Sequence, residues 1–235
     1  MNPMQLEGIE SPAAAGDDAA LPRVALFDFD GVLLHGDAFG LFIRSRYRRA
    51  WLRKLLVVPC LPWLLLMLPF SRRLVSRTLV HVALFGTGEA RYRAQAQAFA
   101  TELVQHSRRF NRDALRQLRR HQQAGDRVIV VTGCEHALVG GILEQLGLGD
   151  VELLASRLRA TGLGMRTGFH NVGANKLKAL AAHGVGAWNV AYTDSLADVP
   201  MLKPAAEPVL VNGTPKLCKR MDAALGRVVG RVEWR

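Results

Sequence analysis

Short, unbroken apolar runs alternate with amphipathic stretches along most of the chain. The runs fall at residues 24–27 (VALF), 126–134 (DRVIVVTGC), 151–158, 188–192 and 209–211. Apolar blocks of four to eight residues without alternation predict strands covered on both faces. Between them, residues 135–146, 175–183, 196–202 and 215–225 return apolar side chains at three- and four-residue spacing, which predicts helices. A longer tract, 81–123, is rich in Ala, Gln, Arg and Glu and repeats apolar positions such as Phe99, Leu103, Leu115 and Leu118, so it too reads as helical. The Gly-rich segment 161–168 predicts a hairpin turn, and 228–234 an edge strand. Strands alternating with helices of this length predict an α/β fold, a parallel sheet flanked by helices. Ligands of such sheets collect beyond the carboxyl ends of the strands.

One segment breaks the pattern. Residues 55–71, LLVVPCLPWLLLMLPFS, carry no charge but are interrupted by Pro59, Pro62 and Pro69. A spanning helix needs about 20 predominantly apolar residues, more than this run supplies. Three readings stay open: a re-entrant or interfacial anchor, a short single span, and a buried helix of a soluble subdomain. Basic residues stand on both sides, Arg44, Arg46, Arg48, Arg49, Arg53 and Lys54 before it and Arg72, Arg73 and Arg77 after it. That distribution suits an anionic membrane surface better than a nucleic-acid groove.

Charge sharpens the picture and composition bounds it. The 235-residue chain has a formal net charge of +11, which implies an anionic partner. Apolar residues make up 49% of it, enough to exclude global disorder and to support one core domain with an inserted subdomain. Only residues 1–22 lack periodicity and read as a flexible N-terminus, without the basic start and apolar stretch of a secretory signal. Cys60, Cys134 and Cys218 form no CxxC pair, so neither a zinc site nor a disulfide framework is indicated and a reducing compartment is expected.

The candidate chemistry begins where the first strand ends, in FDFDGVLLHGD at 27–37. Asp28 and Asp30 are like charges too close to be buried together without a cation or a reacting group to offset them. Phosphoryl transfer uses such parts: one carboxylate to attack phosphorus, another to manage the leaving-group proton, and a hard divalent cation. Thr132 and Gly133 follow the second strand, Lys176 opens a helix beside Lys178, and Asp194, Ser195 and Asp198 follow a late strand in YTDSLADVPML. A Thr-Gly after a strand is by itself often only a turn, and Ser195 reads equally as a helix cap.

As an ordered set, these pieces resemble the haloacid dehalogenase superfamily of phosphatases over roughly residues 24–211. The resemblance implies a Rossmann-like core at 23–36 and 110–235, with a helical cap at 37–109 that carries the apolar, membrane-associating segment 55–70. It implies Asp28 as nucleophile, Asp30 as general acid and base, Thr132 and Gly133 as phosphate-binding groups, and Lys176 rather than Lys178 as the catalytic lysine. It further implies Mg2+ held by Asp28, Asp30 and Asp194, with Asp198 in or beside the set. DFDGVLLHGD and YTDSLADVPML are similar to the phosphoserine phosphatase subfamily. DAFGLFIR at 37–44, PCLPWLLL and FGTGEAR at 85–91 are similar to the phosphatidylglycerophosphatase C family of bacterial inner membranes. The latter similarity implies release of phosphate from phosphatidylglycerophosphate to give phosphatidylglycerol at the inner membrane, with the catalytic domain facing the cytoplasm.

Departures from the superfamily pattern are informative. Val32 stands where a Thr is common, Cys134 and His136 occupy the loop after Thr132, and Asp37 replaces the Glu that reads the amino group of phosphoserine. Asp37, Glu89 and Arg91 are the candidates for head-group contacts, with a solvated helix face as the plain alternative for the last two. Two further functions compete: a cytoplasmic phosphatase of a soluble phosphomonoester such as phosphoserine, and a non-enzymatic binder of acidic partners. Nucleic acid is not an expected partner, because the basic residues lack interleaved stacking aromatics.

Overall fold

The computed structural model describes residues 22–49, 55 and 57–235. The tail read as a flexible N-terminus therefore lies, up to residue 21, outside the described residues, as do Arg53 and Lys54 of the basic flank.

Seven strands form one sheet: β1 (Val24–Phe27), β2 (Arg127–Glu135), β3 (Glu152–Thr161), β4 (Gly164–Phe169), β5 (Val190–Thr193), β6 (Glu207–Val211) and β7 (Gly230–Val232). Their order is β4-β3-β2-β1-β5-β6-β7, and every neighbouring pair is parallel except the β3/β4 hairpin. The lack of alternation in the apolar runs has its reason here. Ala25 and Phe27 of β1 and Val128 and Val130 of β2 feed a core on one face, while Leu26, Ile129 and Val131 feed a second core on the other. A strand buried on both faces has no position to give to solvent.

Helices cover both faces: α1 (Ala38–Arg49), α2 (Leu61–Met67), α3 (Arg72–Leu84), α4 (Glu89–Val104), α5 (Arg112–Gln123), α6 (His136–Gln145), α7 (Ala174–Ala182), α8 (Val199–Leu202) and α9 (Pro215–Leu225). Helix α9 matches its expected bounds because the local signals are complete: Thr214 caps it, Pro215 opens it, and Gly226 ends it in the left-handed conformation. The tract 81–123 is not one helix. It breaks after Leu84 and again after Val104, with a 3-10 turn at Ser107–Arg109, and restarts where the Asn111 side chain accepts the Ala114 N–H. The segment read as a hairpin turn, 161–168, is mostly strand. β3 continues to Thr161 and β4 starts at Gly164, leaving two residues for the turn itself.

Helices α1 to α4 are inserted between β1 and β2, and α1, α3 and α4 share the first core with the sheet. Phe42, Tyr92 and Phe99 pack in the same cluster as Leu138 and Ile142 of α6. The apolar segment behaves differently. Helix α2 has seven residues, about 10 Å of helix, and no helix among the described residues is long and apolar enough to cross a membrane. Nor is the segment a buried subdomain core, which corrects that alternative. Leu64 is buried, but Leu61, Leu65, Leu66, Leu68 and Phe70 are 43–79% exposed.

Candidate active site

The sheet register gathers the candidate residues. Phe27 pairs with Val130 of β2 and with Tyr192 of β5, so the residues next in register, Asp28, Val131 and Thr193, lie side by side at the end of β1. Connections turn to opposite sides of the sheet at this point, where ligands of such sheets collect beyond the carboxyl ends.

Asp28 is 8% exposed, and its backbone N–H donates to the Tyr192 carbonyl. Its Oδ1 accepts from the Phe29 N–H at 2.8 Å and stands 3.2 Å from Lys176 Nζ. Lys176 itself is 2% exposed and donates to Asp198 Oδ2 at 2.7 Å, an oxygen that also accepts from Thr193 Oγ1 at 2.8 Å. One buried ammonium therefore bridges two carboxylates. Burial alone would lower its pKa, but Asp28 and Asp198 outweigh that and hold it above the ordinary lysine value. The neighbouring Lys178 is exposed.

Burial pushes the Asp28 carboxyl well above its usual range, with Lys176 pulling it back and Asp198 adding to the rise. Asp30 is raised to about 7, chiefly by burial, against the opposing hydrogen bond that its Oδ1 accepts from Ala38 N–H at 2.8 Å. Asp194 is also raised by burial. Its carboxylate lies against Gly31, where a Cβ would sit 1.9 Å from Asp194 Oδ2, and Gly31 adopts φ +78°. Glycine is required there twice, for the backbone and for the space.

Thr132 is fully buried, and its Oγ1 accepts from the Cys134 N–H at 3.0 Å, which leaves its own hydrogen for another partner. Cys134 is buried and held as a thiol by burial and by nearby Asp30, in keeping with a bystander role. His136 is lowered by burial and by Arg157, so it stays neutral near pH 7. Ser195 is a cap: its Oγ accepts the Ala197 N–H at 3.2 Å. Val32 is buried in the first core.

The expected head-group contacts are not brought together. Asp37 is exposed and its Oδ1 accepts the Gly40 N–H at 3.0 Å, in the first turn of α1. Glu89 and Arg91 are exposed at the start of α4, and Glu89 accepts from Arg93. From this segment the buried side chains are Thr87 and Tyr92, and Tyr92 donates to Glu135 Oε2 at 2.6 Å. Glu135 in turn caps α6 by accepting the Leu138 N–H. Tyr92 and Glu135 were missed because each is defined by a long-range partner; Thr193, directly before Asp194 at a strand end and five residues from its partner Asp198, carried a local signal.

For a divalent cation the donor set fits in chemistry. Buried carboxyls with raised pKa values face a single paired lysine, an excess of negative charge that a hard dication would offset. Yet no three His, Cys, Asp or Glu side chains converge to hold a metal among the described residues. Of the anticipated set of Asp28, Asp30, Asp194 and Asp198, the Asp30 carboxylate accepts the Ala38 N–H at the start of α1, and Asp198 is engaged by Lys176 and Thr193.

Comparison with known proteins agrees with this layout. No curated protein matches the chain. Among solved structures, a protein of unknown function from Bordetella pertussis Tohama I has 20% identity and a TM-score of 0.65, covering 89% of this chain and 98% of its own. A phosphoserine phosphohydrolase-like protein from Francisella tularensis subsp. tularensis SCHU S4 has 12% identity and a TM-score of 0.58, covering 89% and 94%. A phospho-aspartyl intermediate analogue of phosphoserine phosphatase has 20% identity and a TM-score of 0.52, covering 85% and 90%. At these identities the likeness is one of fold. The family of haloacid dehalogenase-like hydrolases matches residues 25–203, from the first strand through the last of the gathered carboxylates, and the chain belongs to that family.

Proposed function

We propose that this hydrolase is a magnesium-dependent phosphomonoesterase working through an aspartyl-phosphate on Asp28. The observation that carries the reading is the buried Asp28–Lys176–Asp198 bridge at the strand ends, with Asp30 and Asp194 beside it. An Asp28 oxygen attacks phosphorus and the bond to the leaving oxygen breaks, while Asp30, with a pKa of about 7, gives that oxygen its proton. Asp30 then takes a proton from water as the water oxygen attacks the same phosphorus, and the bond to Asp28 breaks to release phosphate. Lys176, the Thr132 hydroxyl and the Gly133 N–H meet the charge on the phosphoryl oxygens. Magnesium would be held by the Asp28 and Asp194 carboxylates and the Asp30 carbonyl, and would supply positive charge to offset that of the phosphoryl group.

For substrate, a small soluble phosphomonoester such as phosphoserine is the better supported choice, because the likeness extends to proteins named for that activity. One observation favours a second reading, phosphatidylglycerophosphate at an anionic membrane surface on the cytoplasmic side of the inner membrane. The exposed side chains of Leu61, Trp63, Leu65, Leu66, Leu68 and Phe70 form an apolar surface with no cover among the described residues, and Arg44, Arg48 and Arg77 are exposed in the helices on either side.

Phosphate release from phosphoserine, phosphatidic acid and phosphatidylglycerophosphate in detergent, with wild type and Asp28→Asn, tests both levels. The mechanism requires activity on at least one substrate and its loss in the variant; equal turnover by the variant refutes it. Flotation with anionic vesicles separates the substrates, since protein that stays behind removes the membrane reading.

A further inference from the structure

We infer that Ser156 is a positioning residue for phosphate binding, orienting the Thr132 hydroxyl through the Gly133–Cys134 peptide and tying it to the segment that carries Lys176. The inference rests on the proposed role of Thr132.

It starts from a break in the β2/β3 ladder. Val131 pairs with Leu154, but the next matched pair is Glu135 with Ser156, so three residues of β2, Thr132 to Cys134, oppose only Ala155. The strand bulges at the residues expected to grip phosphate, and a bulge leaves backbone groups without ladder partners. Ser156 takes the place of the missing partner. Its Oγ donates to the Gly133 carbonyl at 2.7 Å, and it is 6% exposed. The Gly133 carbonyl and the Cys134 N–H belong to one rigid peptide plane and point opposite ways. Holding the carbonyl therefore aims the N–H, which donates to Thr132 Oγ1 at 3.0 Å. With that lone pair engaged, the threonine's single hydrogen is turned away from the loop and offered to a ligand oxygen.

The other side of Ser156 is fixed as well. Its Oγ accepts from the Asn171 N–H at 2.9 Å, and His170 Nδ1 lies 3.3 Å away. Asn171 is fully buried and its Nδ2 donates to the Leu154 carbonyl at 2.9 Å. A hydroxyl has one hydrogen and two lone pairs, so the Asn171 N–H takes a lone pair and the hydrogen goes to the Gly133 carbonyl at 2.7 Å rather than to His170 Nδ1 at 3.3 Å. Asn171 lies five residues before Lys176. The bulge is also pressed from this side, since a Cβ on Gly133 would fall 2.8 Å from Val172 Cγ2. Ser156 thus links the two loops that would hold one phosphate from opposite sides.

A merely structural serine would satisfy the same carbonyl, so the test is a double-mutant cycle on the full chain with magnesium and p-nitrophenyl phosphate. An oriented donor to a phosphoryl oxygen is worth about 100-fold or more, so Thr132→Ala lowers kcat/KM roughly 100-fold and Ser156→Ala roughly 10-fold. If Ser156 acts through Thr132, the double variant lies within about three-fold of Thr132→Ala alone. Ser156→Thr, which keeps the hydroxyl, restores activity to within about three-fold of wild type by the same reasoning.

Independent losses that multiply to about 1,000-fold, or a Ser156→Ala enzyme within two-fold of wild type, overturn the inference. The same cycle is read on the affinity for inorganic phosphate, which needs no turnover. If Ser156→Ala does not fold, Ser156→Cys, nearly isosteric but a weak donor, runs through the same cycle with the same criteria. A wild-type protein that binds phosphate but hydrolyses nothing defeats the functional reading alone. A wild-type protein that does neither defeats both.

Discussion

Replacing Lys176 with Met keeps most of the side-chain volume and removes the charge between Asp28 and Asp198. The ammonium is 2% exposed and lies 3.2 Å and 2.7 Å from the two carboxylates, so the variant leaves two buried acids without their cation. Breaking a buried pair by deleting one partner costs about 3–5 kcal/mol. For a chain of 235 residues, at about 2–4 °C per kcal/mol, the melting temperature falls by roughly 6–20 °C.

The sign of the pH dependence follows from the carboxyls. Without the lysine the folded pKa of Asp28, already raised by burial, lies further above the unfolded value of about 4. A group raised on folding contributes stability below its unfolded pKa and loses it as pH rises through the folded one, so the penalty is small near pH 4 and grows as pH rises. Lys176, itself raised, stays charged in the wild type across that window. Thermal or urea unfolding of both proteins between pH 4 and 8, with chelator to keep divalent cations out, reads the difference. Asp198→Asn in the Met background recovers part of the loss. A penalty below about 1 kcal/mol, against the 3–5 of a broken buried pair, or one that does not change with pH, refutes the bridge as described.

Three other perturbations separate site from scaffold. Gly31→Ala places a methyl 1.9 Å from Asp194 Oδ2 at φ +78°, so hydrolysis falls at least about 10-fold for a backbone cost of roughly 1–2 kcal/mol; activity within two-fold of wild type would contradict the placement of Asp194. Chelation with EDTA abolishes phosphate release and Mg2+ restores it, whereas full activity after exhaustive chelation removes the metal from the mechanism. Glu152, held at a pKa of about 2 chiefly by Arg127 and also by His183, contributes stability above the ordinary carboxyl value that is lost as pH falls toward 2. Because the pair is a third exposed, Glu152→Gln costs less than about 1 kcal/mol at pH 7 and progressively less between pH 5 and 3, readable as a shrinking difference in melting temperature.

Much of the fold was legible in the chain because its signals are local. Apolar blocks at 24–27 and 126–134 have no polar alternation to offer a solvent face, and both became strands of a sheet covered on two sides. Thr214, Pro215 and Gly226 bounded α9 without help from any distant residue. Asp28, Thr132 and Asp194 were found for a similar reason: each follows the apolar block of a strand, and parallel strands in register bring their ends to one place.

What the chain alone left open depended on which way a side chain faces. Lys176 and Lys178 are two residues apart on a helix, and nothing local says which one meets the sheet; packing buried the first beside Asp28 and left the second in solvent. Nothing local says where the Asp30 carboxylate points; the inserted helix α1 begins where its oxygen can accept the Ala38 N–H. Residues 55–70 gave one composition and three possible environments, and only the packing of the insertion left Leu65 and Phe70 uncovered. Ser156 and Asn171 carried no signal at all, since their task arises from a bulge in a neighbouring strand. Sequence determined which residues reach the strand ends, because periodicity and turn chemistry act over a few residues. Tertiary structure decided which of them point at one another, because direction is set by elements far away along the chain.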